Sequence, residues 1–390
     1  MSSHEAFPLI ALRPAVDAGN AWVAMLLDAD RPLDGSVLTD LLETGGLADV
    51  CATLPCVIDA AAETCRPAYP EGIPAERIVL RMPVAHAVDP AIAALLADLR
   101  AAGFRLMATG FPPAGAMLSP AVESLAVTCP GQTMPAGAAD WLCRLPGPHL
   151  ALGTTESVCP GFCKFHWIGG HLPGHASPVL KGDPTARGLL LKLLSLVATD
   201  ADTAEIEAVI KRDPHLSYHL LKLVNSVAFA PGKHIGSFAQ AIALLGRRQL
   251  QRWLQLLLYA RPVGSQEASP LLPRAALRAG VMEGLARHLG LPRETQDRAF
   301  MVGMFSLLDV LFDTPIADIV APLNLTDDVV QALVEGGGQL GGLRAAVLSG
   351  ENGATPALAD ALAATGVSRE AWAAALCAAA AWAAQVAREA

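Results

Sequence analysis

Charge is scarce in this sequence and basic charge scarcer still. Asp and Glu outnumber Lys and Arg by 37 to 28, against a hydrophobic share of 53%. A chain with so much to bury gives no compositional case for disorder. It also lacks the basic excess of a nucleic-acid binder: residues 1–175 hold 9 Lys/Arg against 17 Asp/Glu, and the remainder holds 19 against 20. No basic segment followed by an apolar run opens the chain, so a cytoplasmic protein without a secretory signal is expected. The longest apolar run, AWAAALCAAAAWAAQVA at residues 371–387, is dominated by Ala. It falls short of the roughly 20 strongly apolar residues of a membrane span, so a packed terminal helix is expected there. A Gly-rich phosphate loop, a nucleophile elbow and an internal repeat are missing as well.

Eight cysteines are present, but in a large chain with no export signal reduced thiols are the default, and Cys51, Cys56 and Cys65 read as small core residues. A length of 390 residues suits two cores, since one core stops growing at about 250–300 residues. Short runs rich in Val, Ile and Leu alternate with helix-like stretches up to residue 175. They predict strands at Leu9–Arg13, Trp22–Leu27, Cys56–Asp59, Ile78–Met82, Arg105–Thr109, Ser124–Thr128 and Leu150–Gly153. Helices are expected at Asp34–Glu43 and at Pro90–Ala102, the latter stopped by Gly103. Seven prolines between Phe111 and Leu150 argue for a thin helical layer over the sheet.

After Gly188 the period becomes helical and stays so, with a clear start signal at Asp213-Pro214. The fold class expected is therefore α+β multidomain: an α/β domain at 1–175 and an all-helical domain at 176–390, with the boundary inside the Gly/Pro/His-rich stretch 169–188.

The run DPHLSYHLLKLVNSVAFAPGKHIGSFAQAIALLGRRQLQRWLQLLLYA, Asp213–Ala260, resembles the core of HDOD domains: an Asp-Pro start, a Leu-rich helix ending in Val-Asn-Ser, an Ile-x-Ser turn and Ala-Ile-x-Leu-Leu-Gly. RAFMVGMFSLLDVL and Trp372…Trp382 look like the rest of the longer bacterial form. HDOD domains are similar to HD-type phosphohydrolases, whose adjacent His and Asp hold divalent cations. Here Ser306 and Leu307 stand where that pair would be, Asp309 reads as a helix-surface or capping residue, and His288 is the single histidine past Ala260.

Residues 1–175 resemble the EAL domain that precedes HDOD in one family of two-domain bacterial proteins. EAL domains are modified (β/α)8 barrels that hydrolyse cyclic di-GMP with carboxylate-bound metals. In this resemblance Met25, in WVAMLLD, stands for the signature Glu and Arg81 for a metal-binding Glu. Thr109-Gly110-Phe111 replaces Asp-Asp-Phe, His166 lies near a late Gln, and Asp59 and Glu156 survive close to acidic or polar positions. The barrel implied is short of helices.

Two further groups invite a role. Cys159, Cys163, His166, His171 and His175 have thiolate and imidazole spacing that could hold zinc, though it matches no standard motif, and unrelated buried or surface residues are the preferred reading. Asn225 and Ser226 close the most specific motif, and Arg247, Arg248 and Arg252 lie one turn apart on a helix. These five are the candidate binding residues, against local capping for the first two and a solvated or salt-bridged face for the arginines.

The function expected is a bacterial signal-transduction protein acting through unidentified protein partners, with the HDOD domain as output module, without cofactor, nucleic acid or membrane span. It is expected to be no enzyme, since both sets of metal ligands are missing. Cyclic di-GMP or nucleotide sensing without hydrolysis is the alternative, followed by a residual metal-dependent phosphodiesterase.

Overall fold

The computed structural model describes residues 7–31, 33, 35–59, 75–113, 115–129, 138–153, 167–169, 184–198, 201–210, 238–257, 259, 271–323 and 325–389. Eight strands close a barrel in chain order: β1 Ile10–Val16, β2 Trp22–Ala29, β3 Cys56–Asp59, β4 Ile78–Pro83, β5 Arg105–Thr109, β6 Ser124–Thr128, β7 Leu150–Leu152 and β8 Trp167–Gly169. β1 runs antiparallel to both β2 and β8, and the other neighbours are parallel. Strands buried on two faces read as near-continuous apolar runs, which is why seven of them are visible in the sequence. The eighth, only Trp-Ile-Gly among turn-forming residues, was missed.

Alternation along the strands sorts side chains between lumen and outside. Ala15, Ala24, Leu26, Val57, Val79, Met107, Ala126 and Leu150 form a small separate cluster drawn from seven strands, and these fill the lumen. Met25, Leu27, Cys56, Ile58, Ile78 and Leu80 belong to the larger outer core. Met25, which the resemblance sets in the place of the signature Glu, therefore points outward, and Ala24 faces the lumen. A slip of one residue in a strand exchanges the two faces.

Around the barrel lie α1 Gly35–Glu43, α2 Leu47–Thr53, α3 Val84–Ala87, α4 Ala93–Ala101 and α5 Ala138–Arg144. No helix spans residues 110–123 among those described, in keeping with the expected thin layer. The remaining helices are α6 Pro184–Ala198, α7 Thr203–Ile210, α8 Phe238–Leu257, α9 Leu272–His288, α10 Arg293–Phe305, α11 Leu308–Phe312, α12 Ile316–Val320, α13 Asp327–Val330, α14 Gly338–Gly350, α15 Pro356–Thr365 and α16 Arg369–Glu389. α8 is interrupted at Gly246, with φ 70° and ψ 160°, so it is two helices end to end. The expected helix Leu216–Ser226 lies outside the described residues.

The centre of the helical part is α9, buried on most faces, with α10 and α16 against it. Small residues set the spacing: a Cβ on Gly280 or Gly284 would stand 2.8 Å from that of Ala379 or Ala375 on α16. On the other side a Cβ on Gly303 of α10 would come within 2.5 Å of the Ala279 backbone.

α16 also covers the outside of the barrel at β1 and α2, where helices are few. Trp372, buried, donates from Nε1 to the Ile10 carbonyl at 2.7 Å, Arg369 reaches the Phe7 carbonyl and the Asp30 carboxylate, and Arg388 donates to the Thr53 carbonyl. One contiguous hydrophobic core runs from the barrel's outer face into the helices. The terminal apolar run is thus a packed helix, and no single helix among the described residues is long and apolar enough to cross a membrane.

Candidate functional site

In barrels of this kind ligands are taken at the carboxyl ends of the parallel strands, where loops leave the lumen open. A cavity of about 650 Å3 lies there, lined by the last residues of β2, β3, β4 and β5 and by the segments that follow. Continuing the lumen-facing alternation from Leu26, Val57, Val79 and Met107 brings Asp28, Asp59, Arg81 and Thr109 to its floor.

Arg81 and Asp59 are register partners on adjacent strands. The guanidinium donates from Nε to Oδ1 at 2.5 Å and from Nη2 to Oδ2 at 2.7 Å. Burial would lower the Arg81 pKa, but the hydrogen bonds and charge of Asp59, with Asp28 behind, raise it instead. Asp28 is held by Arg13 at 2.6 Å and Asp30 by Arg369 at 2.8 Å. His86, on α3, turns Nδ1 into the wall without a hydrogen-bond partner.

A divalent cation needs several unclaimed oxygens. Among the described residues no three His, Cys, Asp or Glu converge to hold one, and both lumen-facing carboxylates are engaged by arginines. The mouth as described does not fit a metal, and no chemical step is derived through one.

The opposite end of the barrel is fastened by structural contacts. Glu123 takes Arg100 at 2.5 Å and Arg105 at 2.7 Å. Buried His149 accepts from the Leu125 N–H at Nδ1 and meets the Leu142 carbonyl at Nε2.

In the helical part Ser306 ends α10, where its hydroxyl donates to the Gly303 carbonyl at 2.7 Å and accepts from Arg278 Nη1 at 2.9 Å. Leu307 is buried beside it. Arg278 also forks onto Glu351 at 2.6 and 2.8 Å, and Arg274 joins at 2.7 Å. Burial alone would raise the Glu351 pKa; hydrogen bonds and charge from Arg278 and Arg274 overcome it and hold the carboxyl down at about 2. An arginine therefore lies against the residue that takes the place of the family's His. Asp309 accepts from the Val310 N–H at 2.9 Å within the first turn of α11, whose N-cap is Leu307 without a side-chain cap bond, so it does not take the capping role.

Of the candidate binding residues, Arg248 and Arg252 are brought together. Both reach Glu283 of α9, at 3.1 and 2.5 Å, and Asp297 of α10, at 2.5 and 3.2 Å. Arg252 lies over the Phe300 ring at 4.3 Å. These are half-buried ion pairs that fasten α8 to its neighbours. The Arg247 side chain, Asn225, Ser226, Glu156 and the group Cys159, Cys163, His166, His171 and His175 lie outside the described residues. Sequence reasoning missed Arg278, Glu351, Arg274 and the mouth residues Asp28 and His86. Only the pairing of Arg81 with Asp59, two lumen positions at equal height on neighbouring strands, left a trace in the sequence. Cys377 also escaped notice: it lies buried beside Cys51 and Cys56, and burial followed by the nearby Cys51 raises its pKa.

The HDOD domain model matches residues 184–312. Over 144 residues the chain is 35% identical to a protein of Vibrio cholerae serotype O1 named "Cyclic di-GMP phosphodiesterase CdgJ", covering 37% of this chain and 33% of that one. Over 127 residues it is 36% identical to "Uncharacterized protein YuxH" of Bacillus subtilis strain 168, covering 32% and 31%. The chain thus spans about a third of the length of the curated relatives it matches. No solved structure matches.

The expectation of a non-enzyme is overturned by the first of these findings. A relative bears a phosphodiesterase name, and HDOD domains are related to HD hydrolases, which points to a possible enzyme. The physical reason for the error is that a site converges from several elements. Ser306, Leu307 and Met25 sample too few of them to exclude catalysis.

Proposed function

We propose that the chain is a regulatory protein of cyclic di-GMP signalling, in which an EAL-like barrel takes the nucleotide and the HDOD part is the output module acting on a protein partner. The observation that carries this reading is an HDOD match at 184–312 in a chain whose helices share one core with a barrel open at a polar mouth.

The route between the two ends is short. A Cβ on Gly353 would lie 3.5 Å from Asp28 Oδ2, so the turn after α14 rests against a carboxylate of the mouth. Two residues earlier the same turn carries Glu351, clasped by Arg274 and Arg278. A ligand that redistributes charge around Asp28 and Arg81 changes what this turn meets, and α9 and α16 follow. The shift is limited by the ligand's differential affinity for the two states, with couplings of about 1–3 kcal/mol typical. The partner-facing surface is assigned to Asn225, Ser226 and Arg247, since Arg248 and Arg252 are held by Glu283 and Asp297.

The test is incubation of the full chain with cyclic di-GMP and Mg2+ or Mn2+. Chromatography reads linear dinucleotide and calorimetry reads binding. Either turnover or micromolar binding supports the proposal; the absence of both sinks it.

A further inference from the structure

The mouth is lined by Arg31 and Arg81 together with Asp28, Asp30 and Asp59, and Arg13 and Arg369 reach Asp28 and Asp30 from outside it. Asp28 and Asp30 are each engaged by an arginine outside the lining. The Arg81–Asp59 pair differs from them in its asymmetry: the arginine side chain is 12% exposed and the aspartate 61%. Arg81 is fixed in the floor, whereas Asp59, the last residue of β3, can swing into water.

We propose that the barrel mouth is a site for a phosphate-bearing ligand, in which Asp59 is a built-in stand-in for the phosphate and leaves Arg81 when the ligand arrives. The guanidinium fork that now meets two carboxylate oxygens presents the same two N–H groups to two phosphate oxygens. His86 also lines the cavity, with its Nδ1 buried and without a hydrogen-bond partner. A cavity of about 650 Å3 falls within the range of small-molecule sites and admits a nucleotide. Asp59 then sets the affinity, because the apparent constant is reduced by the fraction of molecules in which Arg81 is already taken.

This inference rests on the barrel being the ligand-binding half, and its test separates the two. Calorimetry on the full chain uses two probes, inorganic pyrophosphate and cyclic di-GMP, on the natural protein, Asp59→Asn and Arg81→Gln. Asp59→Asn, a change at an exposed side chain, is expected to tighten pyrophosphate binding by about tenfold, and Arg81→Gln to weaken it by at least about tenfold. Circular dichroism melting confirms that each variant is folded. Asp59→Asn binding no tighter than the natural chain overturns the proposal even if Arg81→Gln is unstable. So does an absence of binding by pyrophosphate and cyclic di-GMP alike. Pyrophosphate binding with both effects and no cyclic di-GMP binding keeps the anion site and removes cyclic di-GMP as its ligand. Cyclic di-GMP binding insensitive to both substitutions does the reverse.

Discussion

Two guanidinium–carboxylate pairs occupy comparable places, Arg81–Asp59 at the mouth of the barrel and Arg278–Glu351 inside the helical part. Each arginine lies at or against a position that the family resemblance gives to a metal ligand. They differ in access to water. Glu351 is 14% exposed and takes a second arginine, so the group is closed off from water. Asp59 is 61% exposed and has one partner. The first pair is a lock, because an unpaired charge in that place has no solvent to receive it; the second is a latch, because water can accept the aspartate when something replaces it. The same chemistry therefore serves cohesion in one region and recognition in the other.

Breaking the lock gives the largest expected effect. Glu351→Ala leaves Arg274 and Arg278 buried without their counter-ion and should cost about 3–5 kcal/mol, read as a drop in the urea midpoint. The same pair has a pH signature. The Glu351 pKa in the folded protein, about 2, lies below the unfolded carboxylate value of about 4.3, so the unfolded state binds more protons between those values. The contribution of Glu351 is present in full above the unfolded value and is lost as the pH falls through the folded one. Glu351→Gln should flatten the stability profile in that acid window, and an unchanged slope would refute the assignment.

The helical packing around the lock is next. Gly303→Ala drives a methyl group into the Ala279 backbone and should cost about 1–3 kcal/mol by overpacking, visible as a lower melting temperature. Trp372→Phe keeps most of the apolar contact but leaves the Ile10 carbonyl without its indole donor, with a loss of about 1–3 kcal/mol. If α16 fastens the barrel, this variant should raise amide exchange in β1 as well as in α16.

The smallest effect on stability belongs to the latch. Asp59→Asn removes a mostly exposed ion pair and should change stability by less than about 1 kcal/mol. A loss as large as that of Glu351→Ala would erase the distinction between the two sites.

Much of the fold could be read directly. β3, β5 and β6, buried on both faces, announce themselves as apolar runs with boundaries at the residues observed. β8 could not be read, because three residues carry no period. That Met25 faces outward could not be read for a related reason. In a strand buried on both sides every residue is apolar, so the sequence holds no mark of which one faces the lumen. The candidate site was half legible. Asp59 and Arg81 stood out as charges at the ends of apolar strands, and Arg248 and Arg252 as charges on a helix. That Arg248 and Arg252 meet Glu283 and Asp297 depends on how α8, α9 and α10 cross.

By itself the sequence determined the alternation of an α/β half with a helical half and the HDOD domain at 184–312, because these are local or contiguous features. Tertiary structure alone decided that Trp372 binds β1, that Cys377 lies with Cys51 and Cys56, that Glu351 closes on Arg274 and Arg278, and that one turn joins Asp28 to Glu351. Each brings together residues tens to hundreds of positions apart, and no periodicity encodes such a meeting. It is settled only when the hydrophobic faces of barrel and helices find the one arrangement that buries them all.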